Sequence, residues 1–82
     1  MPETISPAQC RGARGMAGLS QRDLADAARV GLSTVANFEN GRSEPNAKNM
    51  ADIIAALETA GVVFVEQNGE GPGVRLKKAK RR

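Results

Sequence analysis

Residues 20–41, SQRDLADAARVGLSTVANFENG, constrain the fold more than any other stretch of the chain. They read as two short helices joined by a tight turn, and the second helix has an unusual outer face. With Leu32–Asn40 wound at about 100° per residue, Val35, Phe38 and Glu39 fall on one side, while Ser33, Asn37 and Asn40 recur at i, i+4 and i+7 on the other. A helix that meets only water favours Lys and Glu, which are better helix formers than Ser or Asn and solubilise more strongly. A stripe of short, neutral, hydrogen-bonding side chains therefore implies contact with something other than solvent. A nucleic-acid groove fits, because Asn pairs bidentately with an adenine edge and Ser or Thr pairs with any base.

The neighbours of this stretch make the pattern specific. Leu19-Ser20-Gln21, Leu24-Ala25, Ala28, Val30, Ser33-Thr34-Val35 and Phe38-Glu39-Asn40-Gly41 stand in register, with Arg14 upstream and Pro45 and a further helix downstream. On these residues the chain resembles the lambda-repressor-like helix-turn-helix regulators, the Cro and xenobiotic-response-element family, over about residues 8–60. Two positions depart from that pattern: Arg29 stands where the family usually has the turn glycine, and Gly31 where a Ser or Thr cap is usual.

The resemblance implies a mainly α fold: a four-helix lambda-repressor-like helix-turn-helix domain, here followed by a C-terminal β-hairpin and a basic tail. It further implies that the second helix lies across a DNA backbone with Gln21 at a phosphate, or that Ser20 and Gln21 serve only as caps. Asn40 and Arg42 would sit beside another phosphate, unless Arg42 is merely solvated. Arg14 and Glu39 match a family ion pair that orients the third helix without touching bases. Leu32, Ser33, Thr34, Ala36 and Asn37 become the base readers, with Ser33 and Asn37 foremost; Leu32 either meets a thymine methyl or belongs to the core edge.

The rest of the composition narrows the class. The chain has 82 residues, the length of one domain, and is 40% hydrophobic, yet Phe38 and Phe64 are its only aromatics. Such a chain buries a modest fraction of its surface, so a second copy or a ligand is expected to add stability. With no histidine and one cysteine, it lacks a zinc-ligand set, an internal disulfide and a His-based triad. No paired carboxylates line an apolar cleft, so neither an enzyme nor a cofactor is expected. The longest apolar run, Val62–Val65, is far too short for a bilayer, and Met1–Ser6 lacks the regions of a signal peptide, so a cytoplasmic protein is expected, with no membrane contact. The net charge of +3 is unevenly spread: residues 74–82 hold six of the twelve Lys and Arg and no acid, leaving residues 1–73 with six basic against nine acidic groups. Positive charge on the helical part matters for binding only where it lies beside the polar stripe.

Taken in order, residues 1–5 form a flexible N-terminus and residues 6–60 the helical domain. Ser6-Pro7 opens a helix to about Ala17, with Cys10, Ala13 and Ala17 inward and Gln9 and Arg11 outward; Gly18 stops it. Cys10 reads as a small core residue, since no basic partner is placed to lower its pKa. Ser20 caps the second helix with Asp23 at its third position, and Leu24, Ala25 and Ala28 face inward. The third helix ends at Asn40-Gly41. Asn46 caps the fourth, Ala47–Ala60, where Met50, Ile53, Ile54 and Leu57 make a complete apolar face.

Residues 61–77 have too many β-branched residues for a helix, and Val62–Glu66 with Val74–Lys77 form a hairpin around a Gly-rich loop. That loop lacks the Lys-Ser/Thr ending and following helix of a phosphate cradle. The first strand is apolar on both faces: one packs on the fourth helix, and the other, Val63 with Val65, needs a cover. A second copy supplies it, so Val63 and Val65 are the expected interface of a homodimer that sets two reading helices one duplex turn apart. Residues 78–82 form a disordered basic tail, which either trails along phosphate or only solubilises. The expected function is sequence-specific binding of double-stranded DNA by a transcriptional regulator, most often a repressor in this family. The competing expectation is a protein-binding adaptor or antitoxin with secondary DNA contact.

Overall fold

A computed structural model of the chain describes residues 2–65 and 73–77. Four helices, α1 (Pro7–Ala17), α2 (Gln21–Ala28), α3 (Leu32–Glu39) and α4 (Ala47–Thr59), precede two strands, β1 (Val62–Val65) and β2 (Gly73–Leu76). The Gly-rich loop expected between the strands and the basic tail expected after them lie outside the described residues.

Each helix begins where its cap dictates. Ser6 Oγ accepts from the Gln9 N–H at 3.0 Å while Gln9 Oε1 accepts from the Ser6 N–H at 2.9 Å, a reciprocal pair that satisfies two otherwise orphaned donors. Ser20 and Asp23 repeat the arrangement on α2 at 2.9 and 3.0 Å. The Ser20 N–H holds the Asp23 carboxyl below its ordinary range. Asn46 accepts from the Asn49 N–H at 2.7 Å to start α4. Gly31 caps α3 with no side chain at all.

The ends are equally local. Gly18 closes α1 in the left-handed region, at φ 73°. Arg29 does the same for α2 at φ 61°, ψ 43°, and is the one non-glycine residue of positive φ among the described residues. The Val30 N–H reaches back to the Ala25 carbonyl at 3.0 Å, so the α2–α3 turn has the geometry of a glycine stop with an arginine in the glycine's place.

α2 packs on both α3 and α4, and α1 lies against α3 and the hairpin. Leu24, Val35, Phe38, Met50, Ile53, Ile54 and Leu57 form the centre of the core, all at most 3% exposed, and the whole expected face of α4 is buried. Ile5, expected in a flexible lead, is 5% exposed and part of the core, so packing reaches one residue upstream of the α1 cap.

β1 and β2 pair antiparallel, with Val62 opposite Leu76, Val63 opposite Arg75, Phe64 opposite Val74 and Val65 opposite Gly73. The strands run one residue nearer the loop on the β2 side than the alternation suggested, and the Lys77 N–H to Gly61 carbonyl bond of 2.7 Å extends the ladder at the open end. Val62, Phe64 and Val74 meet the core. Sequence placed the hairpin on α4; α1 shares that role. Gly12 faces Val74, whose Cγ2 lies 3.5 Å from where a Cβ would stand, and Gln9 Nε2 donates to the Gly73 carbonyl at 3.3 Å. Gln9, expected to face outward, thus tethers β2. Among the described residues no helix is long and apolar enough to cross a membrane.

Candidate nucleic-acid interface

α3 is amphipathic in an uncommon sense, because its buried side carries a carboxylate. Val35 and Phe38 are in the core beside Glu39, which is 2% exposed and the one charged residue that is buried among the described residues. An isolated carboxylate there would cost several kcal/mol of lost hydration. Four donors offset the loss. Arg14 Nε donates to Oε2 at 2.9 Å and Arg14 Nη2 to Oε1 at 3.0 Å, a bidentate fork. Gln21 Nε2 donates to Oε1 at 3.0 Å, and the Cys10 thiol to Oε2 at 3.3 Å.

Burial alone would push the Glu39 carboxyl up, and the hydrogen bonds from Arg14, Gln21 and Cys10 outweigh it, so the group titrates below its ordinary value. The hydrogen bond to Glu39, with the carboxylate's charge behind it, raises the Arg14 guanidinium in turn against the opposing effect of burial. Cys10 shows the opposite sign: burial first, then its bond to Glu39, pushes the thiol up to about 12. It is therefore a hydrogen-bond donor and an inert one.

Two further contacts fasten the same end of α3. Arg11 Nη1 donates to the main-chain carbonyl of Glu39, a last-turn acceptor that the helix itself leaves free. Arg14 Nη1 also reaches the Leu19 carbonyl at 3.0 Å, tying the α1–α2 connection into the cluster. Sequence reasoning paired Arg14 with Glu39 and took Cys10 as core, Arg11 as outward and Gln21 as a phosphate contact or a cap; Cys10 is buried and Arg11 exposed, and what it did not foresee is the bond each of the three makes. All three converge on Glu39. Arg11 and Arg14 are three residues apart on one helix, which puts both guanidiniums on the same side, and that spacing was the available signal.

The opposite side of α3 is open. Leu32, Ser33 and Asn40 are exposed, and Thr34, Ala36 and Asn37 are half-buried. The side-chain hydrogen bonds that tie α3 to its neighbours among the described residues all run to Glu39 and none to the Ser33 hydroxyl or the Asn37 amide. The Asn37 main-chain carbonyl accepts from the Arg42 N–H at 2.8 Å, which folds the exit turn back against α3. Gly41, at φ 77°, makes that turn and leaves Arg42 exposed beside it. Val63 and Val65 share the hairpin face turned away from the core, paired with Arg75 and Gly73, and both are half-buried within the single chain.

This geometry can present a rigid, neutral, hydrogen-bonding helix face with a cation at its C-terminal corner. Gln21 has one amide hydrogen left after its bond to Glu39.

A family model described as helix-turn-helix matches residues 11–62. Two curated relatives, each named transcriptional regulator ClgR, come from Mycobacterium tuberculosis strains CDC 1551 / Oshkosh and ATCC 25618 / H37Rv. Each is 37% identical over 60 residues, which cover 73% of this chain and 54% of the relative. The chain spans about half the length of the curated relatives it matches.

Proposed function

The chain belongs to the lambda-repressor-like helix-turn-helix family, and from that premise we propose that it is a sequence-specific, double-stranded DNA-binding transcriptional regulator that acts in the cytoplasm as a homodimeric repressor. The observation that carries the proposal is the contrast between the two sides of α3: one clamped through Glu39 to α1 and α2, the other presenting the exposed Ser33 and half-buried Asn37 with no side-chain hydrogen bond among the described residues.

In this role α3 lies in the major groove. Ser33 and Asn37 read base edges, with Leu32, Thr34 and Ala36 at the margins. Gln21, Asn40 and Arg42 contact phosphate and set position without choosing sequence. Clamping α3 by hydrogen bonds that already exist in the free protein lowers the ordering cost of binding.

One domain contacts four or five base pairs at most and binds weakly, so a second copy joined through Val63 and Val65 raises the effective concentration of its partner helix. The two α3 helices then stand about 34–36 Å apart along the duplex. Occupying a promoter in this way blocks transcription without any further chemistry.

Footprinting on the DNA that flanks the chain's own coding region tests the proposal. The expected result is a protected two-fold site that overlaps the promoter and is lost with Asn37→Ala. Equal affinity for every duplex offered, at fixed salt, would contradict it.

A further inference from the structure

Arg11 is a cation whose task the Arg14–Glu39 pair does not explain. The two arginines leave α1 on one side and part at Glu39: Arg14 takes the carboxylate, while Arg11 Nη1 takes the main-chain carbonyl. That carbonyl belongs to the peptide unit joining Glu39 to Asn40, so Arg11 is anchored where α3 gives way to its exit turn. α3 has no basic residue in its own last turn, and a cation from α1 stands at its negative end instead.

The anchor uses one of the five N–H donors of the guanidinium. The ion pairs among the described residues are Arg14–Glu39 and Lys48–Asp52, and Arg11 is exposed, so its charge faces solvent without a carboxylate against it. Glu39 also fixes what stands beside it. Gln21 Nε2 is bonded to its Oε1 at 3.0 Å, and Asn40 follows it in the chain. Gln21 and Asn40 are two of the three side chains proposed above to meet phosphate, and Arg11 is bonded to the residue that links them. Residues 1–73 carry six basic against nine acidic groups, so attraction of a polyanion to this part of the chain depends on where single cations are held.

Resting on the assignment of α3 to the major groove, we infer that Arg11 is a DNA-backbone contact: held by one N–H on the Glu39 carbonyl, it turns the rest of its planar fork to a phosphate flanked by Gln21 and Asn40. The fork matches two phosphate oxygens, and holding it in place before DNA arrives lowers the cost of ordering it. Arg11 thus sets position and affinity and leaves the choice of base to α3.

The test is the salt dependence of binding by the full chain, followed by fluorescence anisotropy on a duplex selected from a random pool and on a scrambled duplex of the same composition. One phosphate contact contributes about 0.9 to the slope of log affinity against log salt, so the advantage of the wild-type chain over Arg11→Gln should shrink about 3.5-fold per bound protomer as salt rises from about 50 to about 200 mM. Both duplexes should weaken by the same factor, and Arg11→Lys, which keeps the charge, should keep the wild-type slope. A residue that only capped α3 would shift the circular dichroism melt and leave the slope untouched. Neutral methylphosphonates placed singly along the selected duplex locate the contact: at one phosphate per half-site the wild-type chain should lose affinity and Arg11→Gln should lose none. A slope unchanged in Arg11→Gln, or a methylphosphonate profile the same in both proteins, overturns the inference while leaving DNA recognition standing. A pool that yields no enriched sequence overturns both.

Discussion

Glu39 is the residue on which the orientation of α3 depends, and its titration has a definite sign. A carboxyl held below its ordinary value of 4.5 in the folded state contributes stability that is fully present above that pH and lost as the pH falls through the depressed folded value. Acid unfolding should therefore begin below about pH 4.5 and should flatten in Glu39→Gln. At neutral pH that variant should lose roughly 2 kcal/mol in a denaturant melt, less than for a fully buried pair because the Arg14 side chain is 22% exposed and can rehydrate. An unchanged melt and acid limb would show that the cluster does not hold the helix. Cys10 makes a second prediction at this scale. With the side chain fully buried and its pKa pushed up to about 12, the thiol should react with iodoacetamide only as fast as the whole domain opens. Fast labelling of the native protein at pH 8 would contradict the buried hydrogen bond to Glu39. The Arg14–Glu39 pair was legible in the sequence through family resemblance. The Cys10 and Gln21 contacts were not, because side-chain partners from separate helices depend on how α1 and α2 cross α3, and no local periodicity encodes that.

The helices themselves were largely legible, since Ser6, Ser20 and Asn46 are strong caps and the apolar face of α4 is complete. The turn at Arg29 was marked by its departure from the family glycine, and it is where the elements carry strain. A non-glycine residue at φ 61° is disfavoured by roughly 1 kcal/mol or more, so Arg29→Gly should stabilise the domain by about that amount in a thermal melt. Destabilisation would mean that the arginine side chain supports the turn in a way its exposed position does not reveal. Gly12 tests the packing of the hairpin on α1. It sits inside a helix, a Cβ there would make ordinary contact with Val74, and Gly12→Ala should therefore add about 0.5–1 kcal/mol. A loss would place the hairpin closer to α1 than the 3.5 Å spacing indicates. Sequence assigned the hairpin to α4 alone because alternation shows which residues are apolar, and cannot show which of two helices covers them.

At the scale of the molecule, a core built mostly from small and aliphatic side chains carries the proposed reading helix on one side and a half-buried valine face on another. The proposed dimer joins these through the distance between two copies of α3. Val63→Glu should convert a dimer into a monomer by sedimentation velocity at micromolar concentration and weaken binding to a two-half-site duplex far more than to a single half-site. A wild-type monomer unaffected by the substitution would remove the hairpin from the interface, and a protein partner that co-purifies on that face would favour the adaptor role instead. The assignment of α3 itself is tested most directly by a base-pair profile: competition binding of every single-base-pair variant of a selected site, with the wild-type chain and with Asn37→Ala. Loss of discrimination by roughly 1–3 kcal/mol at one base pair per half-site, with the other positions unchanged, is the expected result. A profile identical in the two proteins would contradict it, because the amide at position 37 would then have no base to read.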